Sequence, residues 1–212
     1  GYVTYHRNRI VADDFLLWAD NINKSPLLSR PHSNLGRYYF IAHDKEKALD
    51  EYEKAIKLNN FGSTAALAVQ QYNLGIYYFE TMQNEKALDF FEKSSQVIPQ
   101  FIKNNIHIAK IKLRQNRIQE AQQIISDKLN IYPNNSELLE LSSFILFKEG
   151  KINEAQIFSG KCLDRNPKSL TALMIMAETC RQKNNYAGAI SYWKSVQILD
   201  PRNAFANLAL IE

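Results

Sequence analysis

Four prolines, Pro99, Pro133, Pro167 and Pro201, stand 34 residues apart along the chain. Four alanines, Ala87, Ala121, Ala155 and Ala189, keep the same interval, each twelve residues ahead of its proline. A fixed period of this length means that one supersecondary unit has been copied along the chain. Proline fixes its own backbone and disfavours helix in the residue before it, so each one ends a helix and sets up the next unit. The small alanine lets two antiparallel helices come close, and a larger residue one turn later fills the gap between neighbouring units. Tyr52, Phe91, Ile125 and Trp193 hold that place, with Ser159 the exception. Apolar residues recur at helical spacing on either side of the polar stretches HDKE, QNEK, QNRI, EGKI and KNNY, which read as the turns of five helical hairpins.

With 45% hydrophobic and 23% charged residues among 212, the composition is that of a globular protein and not of a disordered chain. A net charge of +4, spread without a run of like charge, argues against a nucleic-acid partner. No apolar run approaches the roughly 20 residues of a membrane span. The sequence opens Gly1-Tyr2 with no leader, and reads as a fragment. Cys162 and Cys180 form neither a disulfide framework nor a metal motif. They fall at core positions on neighbouring units and read as buried free thiols, with a disulfide the alternative in an oxidising compartment. His6, His32, His43 and His107 lie on different elements, and there is no HExxH, phosphate loop or nucleophile elbow. The reading is therefore non-enzymatic, with no catalytic residues, no metal and no cofactor.

The stretches NLGRYYF (34–40) and NLGIYYF (73–79) resemble the Leu-Gly-x-x-Tyr signature of tetratricopeptide repeats, each followed by an Ala-x-x-x-aromatic element, Ala48 with Tyr52 and Ala87 with Phe91. The resemblance implies an all-α, right-handed superhelical solenoid of helix-turn-helix repeats, with a concave side lined by the first helices. It places five repeats at 29–62, 68–101, 102–135, 136–169 and 170–203. Residues 63–67 are an insertion that extends a first helix by about one turn, and 204–212 start a sixth repeat or a capping helix. In the later repeats the signature changes to Ile108-Ala109, Ser142-Ser143 and Met176-Ala177.

Residues 1–28 then read as half a repeat, a second helix closed by Pro26, with Trp18 eight residues ahead of it as Trp193 is ahead of Pro201. A second helix without its first predicts an exposed apolar docking face along Phe15, Trp18 and Ile22, suited to self-association or to an upstream membrane domain. Thr4, Arg7, Asn8, Asp13, Leu17 and Trp18, before KSP and RPHSNLG, resemble the junction in polytopic membrane proteins similar to protein O-mannosyltransferases, with Val11 where that group has a Trp. That resemblance implies the extracytoplasmic repeat region of such a protein, in a periplasm or organelle lumen. Two alternatives stay open: a soluble cytosolic adaptor for acidic peptide tails, and the regulatory or substrate-recruiting arm of a soluble glycosyltransferase.

The face expected to be concave carries Arg30, Arg37, Tyr72, Asn73 and Ile76, then Lys103, His107, Lys110 and Arg114 on one stripe of one helix. These residues predict a basic, aromatic-edged groove for an acidic peptide or a terminal carboxylate. The other reading is that the cations keep an exposed face soluble. Of the carboxylate clamp of the co-chaperone members of the family, the matching positions Ser33, Arg37, Asn73, Lys103 and His107 retain only Asn73 and Lys103. Tyr38, Tyr39, Tyr77 and Tyr78 sit beside Leu-Gly at helical spacing and read as packing.

Overall fold

The computed structural model describes residues 15–61 and 63–210, all helix and turn. The chain divides into two compact units, 1–111 and 112–212. Within the first, a helix over 15–24 (α1) precedes α2 (Ser29–Ile41), α3 (Lys45–Lys57), a short 3-10 turn (Leu58–Phe61), α4 (Thr64–Glu80) and α5 (Asn84–Val97). Helix α6 (Ile102–Arg114) belongs to the first unit up to Ile111. The second unit continues with α7 (Ile118–Ile131), α8 (Ser136–Lys148), α9 (Ile152–Arg165), α10 (Leu170–Gln182), α11 (Tyr186–Leu199) and α12 (Ala204–Ala209). No described helix is long and apolar enough to cross a membrane.

One local device repeats at every hairpin turn. His43, Met82, Asn116, Gly150 and Asn184 all take a left-handed backbone, φ 59–74°. The next residue sends its N–H back five places, from Asp44 to Tyr39, Gln83 to Tyr78, Arg117 to Lys112, Lys151 to Leu146 and Asn185 to Cys180, at 2.8–2.9 Å. This closes the spent carbonyls of the first helix while reversing the chain. Two residues past three of the prolines, Asn135, Ser169 and Asn203 each cap the next helix, their side-chain oxygens accepting from Leu138, Ala172 and Ala206 N–H at 3.0–3.2 Å. Ser63 does the same for α4, whose 17 residues exceed the 13 of α2, α8 and α10 by about one turn. Among the left-handed positions Met82 is the costly one, because its side chain lacks the local hydrogen bonding that lets Asn tolerate this region. Met82→Asn is expected to raise stability by about 0.5–1 kcal/mol, read as a higher unfolding midpoint in urea, since Met82 is exposed and loses no packing.

The Leu-Gly signature has a steric cause. A Cβ on Gly36 would lie 2.7 Å from the Tyr52 ring, and one on Gly75 would lie 2.7 Å from the Phe91 ring. Tyr52 and Phe91 therefore each seat on the glycine of their own hairpin, and the rings at this place also join the core of the following repeat: Tyr52 with Leu74 and Tyr77, Phe91 by stacking on His107 at 5.2 Å, and Trp193 with Ala206. In the α8–α9 hairpin Ser143 and Ser159, both fully buried, replace the glycine and ring. Tyr77 and Tyr78 belong to the first unit's core, and burial pushes both phenols up.

The strip expected to be exposed on α1 is not. Phe15, Trp18 and Ile22 are half-buried, and the Phe15 ring lies 5.0 Å from Tyr38 and 6.1 Å from Tyr39. Phe15 packs against α2 through these two rings; the exposed large apolar side chains of α1 are Leu16 and Leu17. Thr4, Arg7, Asn8, Val11 and Asp13 lie outside the described residues. Cys162 and Cys180 are buried free thiols. Cys162 donates to the Ser136 carbonyl at 3.4 Å, which is what Ser94, two periods earlier, does to Ala68 at 2.7 Å. Burial pushes the Cys162 thiol up.

A candidate peptide-binding face on the first helices

In the first unit the first helices are α2, α4 and α6. Arg30 and Arg37 lie two turns apart on α2, and α4 carries Tyr72, Asn73 and Ile76, with Asn73 reaching α2 at Ser33. Helix α6 adds Lys103, His107 and Lys110. Arg30, Arg37 and Lys103 are exposed, and the others are half-buried. Arg114, on the last turn of α6, falls in the second unit, so its place beside the others is not part of this site.

Two contacts fix the middle of the face. Asn73 donates from Nδ2 to Ser33 Oγ at 3.1 Å, so α4 is tied to α2 and the amide is oriented before any ligand arrives. His107 donates from Nδ1 to the Lys103 carbonyl at 2.8 Å, one turn back on its own helix. Its ring stacks on Phe91 at 28° and meets Tyr72 and Phe79 edge-on, at 5.6 and 5.4 Å. Tyr72 in turn packs on Phe91 and Phe101, at 5.7 and 4.9 Å. Tyr72 and His107 are thus brought together, and both are built into the wall of the face instead of projecting from it.

Several cations are paired: Lys47 with Asp44, Lys54 with Asp50 and Glu51, Lys93 with Asp89, Arg117 with Glu120, Lys151 with Glu149, and on first helices Lys112 with Glu120 and Arg181 with Glu178. The hydrogen-bonded Lys47 holds the Asp44 carboxyl below its ordinary range, and Arg117 does so for Glu120. Arg30, Arg37, Lys103 and Lys110 form none of the ion pairs seen among the described residues. An unpaired cation next to aromatic edges is a ready partner for a carboxylate, through a charge-assisted hydrogen bond.

Spacing alone did not reveal a buried polar network at the other edge of α2. His32 and Glu51 are both buried, with Nδ1 2.6 Å from Glu51 Oε2. His32 Nε2 donates to the Pro26 carbonyl at 3.2 Å, and Lys54 Nζ lies 2.9 Å from Glu51 Oε1. The network ties the loop after α1 to α2 and α3. Its only sequence signal is two titratable residues at positions where the apolar pattern calls for core, 19 residues apart.

Among the described residues no three His, Cys, Asp or Glu side chains gather closely enough to hold a metal ion.

Residues 29–60 match the sequence model of the tetratricopeptide repeat. No curated protein sequence matches the chain. Among solved structures, Pseudomonas aeruginosa pilF is similar, with 16% identity over 99% of this chain and 91% of that one, at a TM-score of 0.78. PilW, a type IV pilus biogenesis factor, is 14% identical over 98% and 94%, at 0.77. YrrB, a tetratricopeptide repeat protein with an unusual peptide-binding site, is 18% identical over 92% and 98%, at 0.60. The chain therefore has the all-α fold of tetratricopeptide-repeat proteins, and its residues 29–60 match the repeat itself.

Proposed function

We propose that this chain is a non-catalytic docking scaffold whose first unit takes an acidic peptide on the face of α2, α4 and α6. The observation that carries the reading is that Arg30, Arg37, Lys103 and Lys110, all on first helices of the first unit, form none of the ion pairs among the described residues, on the same helices that hold Tyr72 against His107 and Asn73 oriented by Ser33. Leaving four like charges together weakens folding through repulsion, and a bound polyanion removes that penalty. Side-chain amides suit the main chain of an extended peptide, and Asn73 keeps Oδ1 and one N–H beyond its bond to Ser33.

The double variant Lys103→Glu/Lys110→Glu is expected to weaken an Asp/Glu-rich peptide at least about thirtyfold at low salt, with its thermal unfolding unchanged. Anisotropy with a labelled peptide reads the first, and circular dichroism the second. Equal binding by variant and parent would remove the site.

The resemblance of the first 40 residues supports a second element of the proposal, in which this scaffold is the extracytoplasmic region of a membrane protein similar to O-mannosyltransferases. In that setting the loop tied down by His32 and Glu51 would hold the entry from the upstream domain. Several apolar spans of about 20 residues upstream of Gly1 would support this context, and a soluble protein upstream would sink it.

A further inference from the structure

The same repeat positions carry different chemistry in the second unit. One period beyond Lys110 stands Phe144; one period beyond His107 stands Leu141, and two periods beyond it Ile175. Phe144, Phe147, Met174 and Ile175, with Trp193 and the exposed Phe205, line a groove of about 610 Å3 on the side of α8, α10 and α12. Its polar lining is Lys148, Thr171 and Glu178. Glu178 is already engaged: it accepts from Arg181 Nε at 2.9 Å and from Gln182 at 3.2 Å, and Arg181 holds its carboxyl below the ordinary range. Lys148 forms no ion pair among the described residues, and its ammonium rests over the Phe144 ring at 5.6 Å. The groove therefore offers a large apolar wall, a soft methionine and one available cation.

The lining also says what form of chain fits. An extended peptide laid against this wall would bury backbone N–H and C=O groups, and the groove has no Asn or Gln among its lining residues to receive them. A helix satisfies its own backbone and presents only side chains, so it pays no such penalty. A cavity of this size accepts the two or three large side chains that a helix displays at i, i+3 or i+4, and i+7. Charge selects the flank, since Lys148, the lining residue with a charge and no ion pair among the described residues, is positive.

We infer that this groove in the second unit is a separate docking site for an amphipathic helix of a protein partner, apolar on one stripe and carrying a carboxylate where the stripe meets Lys148. The site is independent of the basic face in the first unit: one takes an extended acidic segment through salt-sensitive charge pairs, the other an apolar helix through buried area and one pair. Met174 adapts to the shape of the stripe, and Phe205 closes over its end.

The probe is a blocked synthetic peptide of about 18 residues with Leu at i, i+3, i+4 and i+7 and Glu beside the stripe, titrated into the whole chain by calorimetry. Binding is expected with a negative heat-capacity change and a gain of helical ellipticity. The peptide with Lys in place of Glu is expected to bind about fivefold more weakly, and Lys148→Glu to invert that preference. Met174→Glu and a peptide with a central Pro should each lose more than about tenfold. Lys103→Glu/Lys110→Glu should leave this binding intact. Absence of binding, equal affinity of the Pro-interrupted peptide, a Glu-to-Lys preference untouched by Lys148→Glu, or loss in the Lys103/Lys110 variant would each overturn the inference. Circular dichroism of each variant confirms that it is folded.

Discussion

Phe91→Ala is expected to cost about 3–5 kcal/mol, measured as the loss in unfolding free energy by chemical denaturation. The ring is fully buried, and three different parts of the first unit close on it. On one side is the bare backbone of Gly75, which has no Cβ because the ring occupies that space. On another is Tyr72, 5.7 Å away, and over its face lies His107. Gly75 has no side chain to swing into the vacancy, so collapse is limited and the cavity term stays large. The variant should also damage the candidate face, because His107 loses the surface that orients it. Its ring-proton resonances should lose their aromatic displacement, and acidic-peptide affinity should fall even below the melting transition. A loss under 1 kcal/mol would mean that the hairpin of α4 and α5 is not held by this ring.

His32→Ala is expected to cost about 3 kcal/mol, for an electrostatic and not a packing reason. Glu51 is buried beside His32, and removing the imidazole leaves the carboxylate with only Lys54, whose side chain is nearly half exposed. The carbonyl of Pro26 also loses its donor. Glu51→Ala added to His32→Ala should recover at least about half of the loss, because the uncompensated charge goes with it. Amide hydrogen exchange should show α1 and the loop at 25–28 opening more often in the single variant. Unchanged protection there would show that the tie does not anchor α1.

The fold was legible because this architecture repeats its rules at fixed spacing. The period of the prolines and the Leu-Gly pair specified an all-α stack of hairpins, and the structure supplies the reason for the glycine in the Tyr52 and Phe91 rings. The caps at Asn135, Ser169 and Asn203 stand two residues past Pro133, Pro167 and Pro201, but their role emerges only once the chain turns there. The strip on α1 was misread because a helix at the edge of a sequence looks unpartnered from one side, while Phe15 packs on Tyr38 of α2 and Trp18 and Ile22 are half-buried.

The candidate site was legible as a set of residue types on one helical face, but not as a network. Nothing in the spacing of His107 said that its ring would lie among Tyr72, Phe79 and Phe91 instead of facing solvent. Nor did 40 residues of separation announce the Asn73–Ser33 bond. The groove of the second unit escaped for a different reason. Phe144, Phe147 and Met174 look like core in any helical periodicity, and only the repeat register assigns them to the same face as Lys110.

The central claim, that the first helices of the first unit form an acid-binding face, is tested most directly by a nitrogen–proton correlation titration of the chain with an unlabelled Asp/Glu-rich peptide. The expected result is perturbation concentrated at Arg30, Arg37, Asn73, Lys103, His107 and Lys110, fading as salt rises. Perturbation concentrated instead on α3 and α5, or none at saturating peptide, would contradict it.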